Sequence, residues 1–259
     1  MALLRIDHTP ETVKVNLPLN ILLPDPGNMG EMPVAGRKVL YLLHGLSEDA
    51  SAWQRYSSIE ALAERYGLVV IMPSVGRSFY IDQPNGQNYF SYLTEELPKY
   101  LRDVFGLASR REDTFIAGSS MGGYGAFKAA LLHPELYAAA ASFSGVLSLD
   151  IFRINPNDSR QAEFSFLFGD LNKLSGSEHD PAVWLRDASK NPSVLPHLYI
   201  ACGRQEDLYP LSGLFYNACQ ALGVSAEYHE EDGMHDWFLW YRLIKWFLEE
   251  VLGTVEPET

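Results

Sequence analysis

The sequence has little cysteine, no long hydrophobic run and no excess of positive charge, and each absence excludes a class of protein. Its two cysteines, Cys202 and Cys219, are too few for a disulfide framework, so we expect free thiols and a cytoplasmic protein. No run of about 18 apolar residues occurs, so we expect no membrane-spanning helix. The net charge of −13 repels nucleic acids and anionic lipid, which leaves a small molecule as the expected partner.

Short apolar runs alternate with helix-length amphipathic segments along the chain. The segment 13–24 alternates in part between apolar and polar residues, which predicts an antiparallel edge strand. Strands covered on both faces are predicted where the runs are continuous, at 38–43, 68–73, 114–118, 137–144 and 197–203. With 259 residues and 47% hydrophobic composition, we expect one α/β domain, residues 1–259, with a mostly parallel central sheet and helices on both faces.

Three segments carry further expectations. Pro98 predicts a kink or break in the helix expected over 92–106. The polar segment 144–196 predicts an excursion over the active site, in which Phe164, Phe166, Phe168 and Trp184 line a compact pocket. The C-terminal helix predicted over 236–253 has aromatic residues around much of its circumference, which favours packing on the sheet but also allows a homo-oligomer.

The stretch Gly-Ser-Ser-Met-Gly at 118–122 fits the G-x-S-x-G motif. It follows an apolar strand and opens a helix, which is the context in which this motif presents a nucleophilic serine. The motif therefore predicts Ser120 as the nucleophile, with its hydroxyl exposed at the top of the sheet. Ser119 would serve only if the turn were shifted by one residue, and a glycine-rich turn without chemistry is the other alternative.

A serine hydroxyl needs a histidine to accept its proton and a carboxylate to orient that histidine. After such a serine the acid comes next in the chain and the histidine last. Glu206 and Asp207 follow the strand at 197–203, and His235 lies in a later loop. We predict Asp207 as the acid, with Glu206 as the alternative, and His235 as the base. His229 is a rival base, but it lies inside a strand pattern.

An oxyanion formed during acyl transfer needs backbone N–H donors near the serine. The sequence His-Gly-Leu at 44–46 directly follows a central strand, and a turn there points an amide at the nucleophile. We therefore predict an oxyanion hole formed by the amides of Leu46 and Met121.

Four motifs now resemble one family. In chain order, YLLHGLSEDASAW, GSSMGGYGAF, CGRQEDLY and GMHDWFLW are similar to the α/β-hydrolase esterases of the tributyrin esterase and esterase D group, related to the mycobacterial mycolyltransferases. The resemblance spans roughly residues 13–252. It implies the triad Ser120, Asp207 and His235 with the Leu46 and Met121 amides. The chain departs from the family at Arg204, Gln205 and the poorly matching stretch 148–190.

The predicted function is a serine carboxylesterase that uses no cofactor and no metal. Members of the resembled family hydrolyse short-chain acyl and acetylated-carbohydrate esters, and some cleave S-formylglutathione or feruloyl esters. An acyltransferase or an S-formylglutathione hydrolase of the same fold is the alternative. A non-catalytic hydrolase-fold binding protein is a further hypothesis, which the full set of site residues disfavours.

Overall fold

A computed structural model describes residues 1–25, 36–107, 110–151 and 158–254. Its centre is an eight-stranded sheet with the spatial order β1-β2-β4-β3-β5-β6-β7-β8. The strands from β3 to β8 are parallel to one another, whereas β2 runs antiparallel to both of its neighbours. The strand bounds are β1 Ala2–His8, β2 Leu17–Leu23, β3 Val39–Leu43, β4 Val69–Pro73, β5 Thr114–Ser119, β6 Ala139–Phe143, β7 His197–Gly203 and β8 Ala226–Glu231.

Helices cover both faces of this sheet, as the sequence predicts. A π-helical turn, Tyr92–Glu96, separates α3 from α4, and Pro98 lies in the first turn of α4. The helix predicted over 92–106 is therefore interrupted close to the proline, which cannot donate an N–H within a helix. The helix bounds are α1 Ala52–Tyr56, α2 Ile59–Tyr66, α3 Tyr89–Ser91, α4 Leu97–Phe105, α5 Met121–Leu132, α6 Gln161–Phe168, α7 Pro181–Ala188, α8 Tyr209–Ala221 and α9 Trp237–Leu252.

The strand β3 shows why the apolar runs are continuous. Leu40 and Leu42 face the core that α2 and α9 complete. Tyr41 and Leu43 face the opposite core, which α4 and α5 complete. Because both faces are buried, successive residues are apolar although successive side chains point in opposite directions. Because the strands from β3 to β8 are parallel, their carboxyl ends lie at one rim of the sheet, where ligands gather in such folds.

The prediction of an edge strand within 13–24 is only partly correct. That segment forms β2, but β1 pairs with its outer side over seven residues, so β2 lies inside the sheet. No strand was predicted at Ala2–His8. Its residues alternate between exposed and half-buried positions, and it covers the N–H and C=O groups that β2 would otherwise leave open.

The segment 144–196 contains α6 and α7, and its residues 152–157 lie outside the described residues. In α9, Leu239, Leu243 and Phe247 are fully buried, whereas Phe238 is 82% exposed. The homo-oligomer stays a prediction. Among the helices that the structure describes, none is long and apolar enough to cross a membrane.

Candidate active site

The turn between β5 and α5 holds Ser120 in a strained conformation. Its φ of 54° and ψ of −116° lie outside the regions that side-chain-bearing residues normally adopt. A Cβ on Gly118 would lie 2.5 Å from the carbonyl of Gly122, and a Cβ on Gly122 would lie 2.5 Å from the carbonyl oxygen of Leu43. Glycine is therefore required at both positions for the chain to turn this sharply.

The two adjacent serines differ in their access to solvent. Ser119 is completely buried, and its hydroxyl has no hydrogen-bond partner among the described residues. Ser120 is half-buried and borders a pocket at the carboxyl rim of the sheet. Of the two serines in the motif, Ser120 is the one that a substrate can reach.

A chain of hydrogen bonds connects Ser120 to a buried carboxylate. His235 Nε2 lies 3.0 Å from the Ser120 hydroxyl, and His235 Nδ1 lies 2.8 Å from Glu206 Oε2. A carboxylate only accepts hydrogen bonds, so Nδ1 carries the proton and Nε2 is free to accept one from the serine. The Glu206 side chain has no exposed surface, and its Oε1 accepts a hydrogen bond from the Gly203 N–H at 3.0 Å. This arrangement activates a serine hydroxyl.

The carboxylate against His235 belongs to Glu206 and not to Asp207, which corrects the choice made from the sequence. The two residues are consecutive in the loop after β7, so their side chains leave the backbone in different directions. Glu206 turns inward toward Gly203 and His235, whereas Asp207 is exposed and borders the pocket. No hydrogen bond joins Asp207 to His235 in the described part of the chain.

The other candidate base lies away from this site. His229 is in β8 and stacks on the indole of Trp246, with ring centroids 4.6 Å apart. Elsewhere His8 contacts the Tyr92 hydroxyl and His133 contacts Glu135. Within the described ranges, no group of three His, Cys, Asp or Glu side chains is placed to hold a metal ion.

The amides predicted to bind an oxyanion lie next to Ser120. Met121 is the first residue of α5, where helical N–H groups have no partner within the helix. Leu46 borders the same pocket as Ser120. In the described residues, neither amide N–H donates to a protein acceptor. Their catalytic role stays a prediction.

His44 was read from the sequence only as part of a turn, but its buried side chain supports the 44–46 loop. Its Nδ1 lies 2.7 Å from the Gly45 carbonyl oxygen, and its Nε2 accepts the Val75 N–H at 3.1 Å. Burial lowers the pKa of His44 to about 4. The imidazole is therefore neutral at pH 7, with one nitrogen donating and the other accepting.

Glu48 is a second supporting residue that the sequence analysis missed, because an acid in a polar loop carries no distinct signal. It is half-buried, and its carboxylate accepts the Gly45 N–H at 2.7 Å and the Trp237 indole N–H at 2.9 Å. Burial raises the pKa of Glu48. Since Trp237 opens α9 two residues after His235, Glu48 joins the 44–46 loop to the segment that carries the histidine.

The pocket above Ser120 is small, with a volume of about 250 Å³. Its apolar walls are formed by Leu46, Phe79, Val146, Ile151, Phe164 and Leu208. Asp158 and Arg160 also line the pocket and pair with each other, with Arg160 Nη2 lying 2.6 Å from Asp158 Oδ2. Of the four aromatic residues predicted to line this pocket, only Phe164 does so. Phe166 is 62% exposed, and Phe168 and Trp184 border a different cavity.

Fold and site together define a serine hydrolase of the α/β-hydrolase fold: a serine at a strand-to-helix turn of a parallel sheet, bonded to a histidine and a buried carboxylate. The family model described as "Putative esterase" matches residues 11–245. The chain belongs to this esterase family and is a carboxylic ester hydrolase.

Individual relatives are similar over nearly the whole chain. An acetyl esterase of Caldicellulosiruptor saccharolyticus is 32% identical, over 94% of this chain and 96% of the relative. The substrate-bound structure of FphF, a fluorophosphonate-binding serine hydrolase of Staphylococcus aureus, is 32% identical with a TM-score of 0.88, over 98% of this chain and 99% of that one. The S-formylglutathione hydrolase FrmB of Staphylococcus aureus is 32% identical with a TM-score of 0.86, over 97% and 98% of the two chains.

Proposed function

We propose that this esterase hydrolyses short-chain acyl esters, acetyl esters above all, through an acyl-enzyme on Ser120. The observation that carries the proposal is the bonded series Glu206–His235–Ser120, with distances of 2.8 and 3.0 Å, ending in a pocket of about 250 Å³. The similarity to a relative named acetyl esterase supports the acyl group that we propose.

In the proposed reaction, the Ser120 oxygen attacks the ester carbonyl while His235 Nε2 takes the hydroxyl proton. Glu206 holds the Nδ1 proton and stabilises the imidazolium that forms. The amides of Leu46 and Met121 donate to the oxyanion, and the loss of one such donor costs about 2.7–4 kcal/mol in other enzymes. His235 then returns the proton to the leaving alcohol. A water activated by His235 releases the acid and restores the serine.

The pocket has both apolar and charged lining residues, which suggests how it accommodates the acyl group and the alcohol. Its apolar walls suit a compact acyl chain, and the charged pair Asp158–Arg160 suits a polar leaving group. A thioester such as S-formylglutathione is the second candidate, because a structural relative carries that activity in its name. Acetylated carbohydrates remain within the ester class that we propose.

Labelling with a fluorophosphonate tests the nucleophile. We expect one covalent adduct, located by peptide mass spectrometry on Ser120, and the same adduct in the matched Ser119→Ala control. Ser120→Ala should give no adduct and no hydrolysis of p-nitrophenyl acetate above the uncatalysed rate. A folded protein that takes no label, or that is labelled on Ser119, would contradict the proposal. Comparing kcat/KM for acetyl esters and S-formylglutathione then decides between the two substrate classes.

The cellular location is also a proposal. Cys202 and Cys219 are both buried and unpaired with each other. Free thiols of this kind suit a reducing compartment, so we propose the cytoplasm. Expression of a tagged chain followed by cell fractionation tests it.

A further inference from the structure

A second and larger cavity lies beside the catalytic pocket. Its volume is about 590 Å³, and it is bordered by α5, α6, α7 and the segment 82–84. None of the described residues borders both the cavity and the catalytic pocket. Its size lies in the range of about 300–1,000 Å³ that small-molecule sites occupy, and nothing in the proposed reaction uses it.

The unusual group in this cavity is Lys128 of α5. The residue is only 6% exposed, and in the part of the chain that the structure describes no hydrogen bond or ion pair joins its Nζ to another residue. Its Nζ lies 4.1 Å from the ring centroid of Phe90 and 6.0 Å from that of Trp184. Ring faces attract a cation by about 0.5–2 kcal/mol, but they do not use its three N–H donors. Burial lowers the pKa of Lys128 to about 8.

Three carboxylates border the cavity, but none forms an ion pair with Lys128. The Asp82 carboxylate accepts hydrogen bonds from the Phe90 N–H, the Ser91 N–H and the Ser91 hydroxyl. Asp187 pairs with Lys190 at 2.8 Å, and Glu178 is exposed. The Asp82 and Glu178 charges favour the protonated lysine from a distance. They leave its ammonium without a direct counterion.

The remaining lining favours a ligand that is apolar apart from one anionic group. Leu167, Phe168 and Val183 supply apolar surface. His179 borders the same cavity, and its Nδ1 is buried without a hydrogen-bond partner among the described residues.

We propose that this cavity binds a small organic carboxylate, with the carboxylate on the Lys128 ammonium and the apolar body against Phe168 and Val183. A buried cation without a counterion gains most from a ligand that supplies one, since a charge-assisted hydrogen bond is about twice as strong as a neutral one. Two aromatic side chains in contact with each other lie between this site and the catalytic pocket. Phe168 contacts Phe79 edge-on, with centroids 5.3 Å apart, and Phe79 lines the catalytic pocket.

Benzoate is a suitable probe, and its dissociation constant is measured by isothermal titration calorimetry. Lys128→Met removes the charge and keeps most of the length of the side chain, so we expect binding at least tenfold weaker. The matched control is Lys245→Met, which removes the same charge from an exposed position of α9 on the other face of the sheet and should bind as the wild type does.

A further variant guards against misfolding of Lys128→Met. Val183 is half-exposed and borders the cavity, so Val183→Trp should fill the apolar part of the cavity and also abolish binding. Circular dichroism shows whether both variants are folded. Unchanged affinity in folded Lys128→Met would overturn the proposal, as would no binding by the wild type. The measurement requires no catalysis, so its failure is distinct from failure of the esterase proposal.

Discussion

Replacing Glu206 by glutamine tests whether this residue, and not its neighbour Asp207, orients the catalytic histidine. The Glu206 carboxylate accepts two hydrogen bonds, from the Gly203 N–H at 3.0 Å and from His235 Nδ1 at 2.8 Å. A glutamine has one acceptor oxygen and one NH₂ group. If its oxygen keeps the Gly203 bond, its NH₂ faces His235.

The size of the effect follows because two donors, this NH₂ group and the Nδ1–H of His235, would then face each other. An NH₂ group facing Nδ1 favours the tautomer with its proton on Nε2, and that nitrogen can no longer accept the proton of Ser120. The corresponding amide substitution in a serine protease lowers kcat about 10⁴-fold, which is about 5.4 kcal/mol of transition-state stabilisation. We expect a loss of this order for Glu206→Gln. Asp207→Asn should change kcat/KM by no more than a few-fold, since Asp207 is exposed and does not contact His235.

The assay is kcat/KM for p-nitrophenyl acetate, with thermal melting to show that each variant is folded. Asp207→Asn is the matched control, because it makes the same chemical change one residue later. A loss smaller than about tenfold in folded Glu206→Gln would refute the reasoning. A loss in Asp207→Asn that exceeds the loss in Glu206→Gln would return the acid role to Asp207.

Three further predictions concern other parts of the structure. Glu48→Gln should lower kcat about tenfold with little change in KM, because the Gly45 and Trp237 N–H groups donate to different carboxylate oxygens, and one of the two would face the glutamine NH₂ group. Steady-state kinetics checks this, and an unchanged kcat would contradict it. Across p-nitrophenyl esters from acetate to laurate, kcat/KM should be highest from acetate to butyrate and fall steeply by octanoate. Each methylene that a pocket of about 250 Å³ cannot hold loses about 0.8 kcal/mol of binding free energy. A maximum at decanoate or longer would contradict this prediction. The pKa of Lys128 is lowered to about 8, so between about pH 8 and 10.5 the folded state binds fewer protons than the unfolded state. The contribution of Lys128 to the free energy of unfolding should therefore rise by about 3 kcal/mol over that pH range. Urea unfolding at several pH values should show this rise in the wild type relative to Lys128→Met, and equal slopes would contradict it.

The parts of the fold that the sequence predicts are those with a strong local cause. Strands such as β3 are buried on both faces, and continuous apolar runs follow directly from that burial. The turn at Ser120 is predictable because only glycine fits at Gly118 and Gly122. By contrast, β1 alternates between half-buried and exposed residues near the start of the chain, so its strand pattern is weak without the partner that β2 provides.

The acid was not predictable for a different reason. Glu206 and Asp207 have the same chemistry and adjacent positions, and only the path of the loop after β7 decides which side chain turns inward. The roles of His44 and Glu48 depend likewise on contacts with Val75 and Trp237, which lie 31 and 189 residues away along the chain. Sequence spacing carries no information about such contacts. The position of His44 directly after the central strand β3 is the one feature of the sequence that could have indicated a supporting role.

The hydrogen-bonding groups around Ser120 divide into those that hold the site together and those that have no protein partner. His44 uses both ring nitrogens, and the Glu48 and Glu206 carboxylates each accept two N–H or ring donors. Within the described residues, the donors near Ser120 without a protein acceptor include the amides of Leu46 and Met121. A site whose supporting groups are fully bonded needs little reorganisation when charge develops, and this is the condition under which oxyanion stabilisation is largest. We propose that the strained backbone of Ser120 serves the same end, since it holds the hydroxyl 3.0 Å from His235 Nε2.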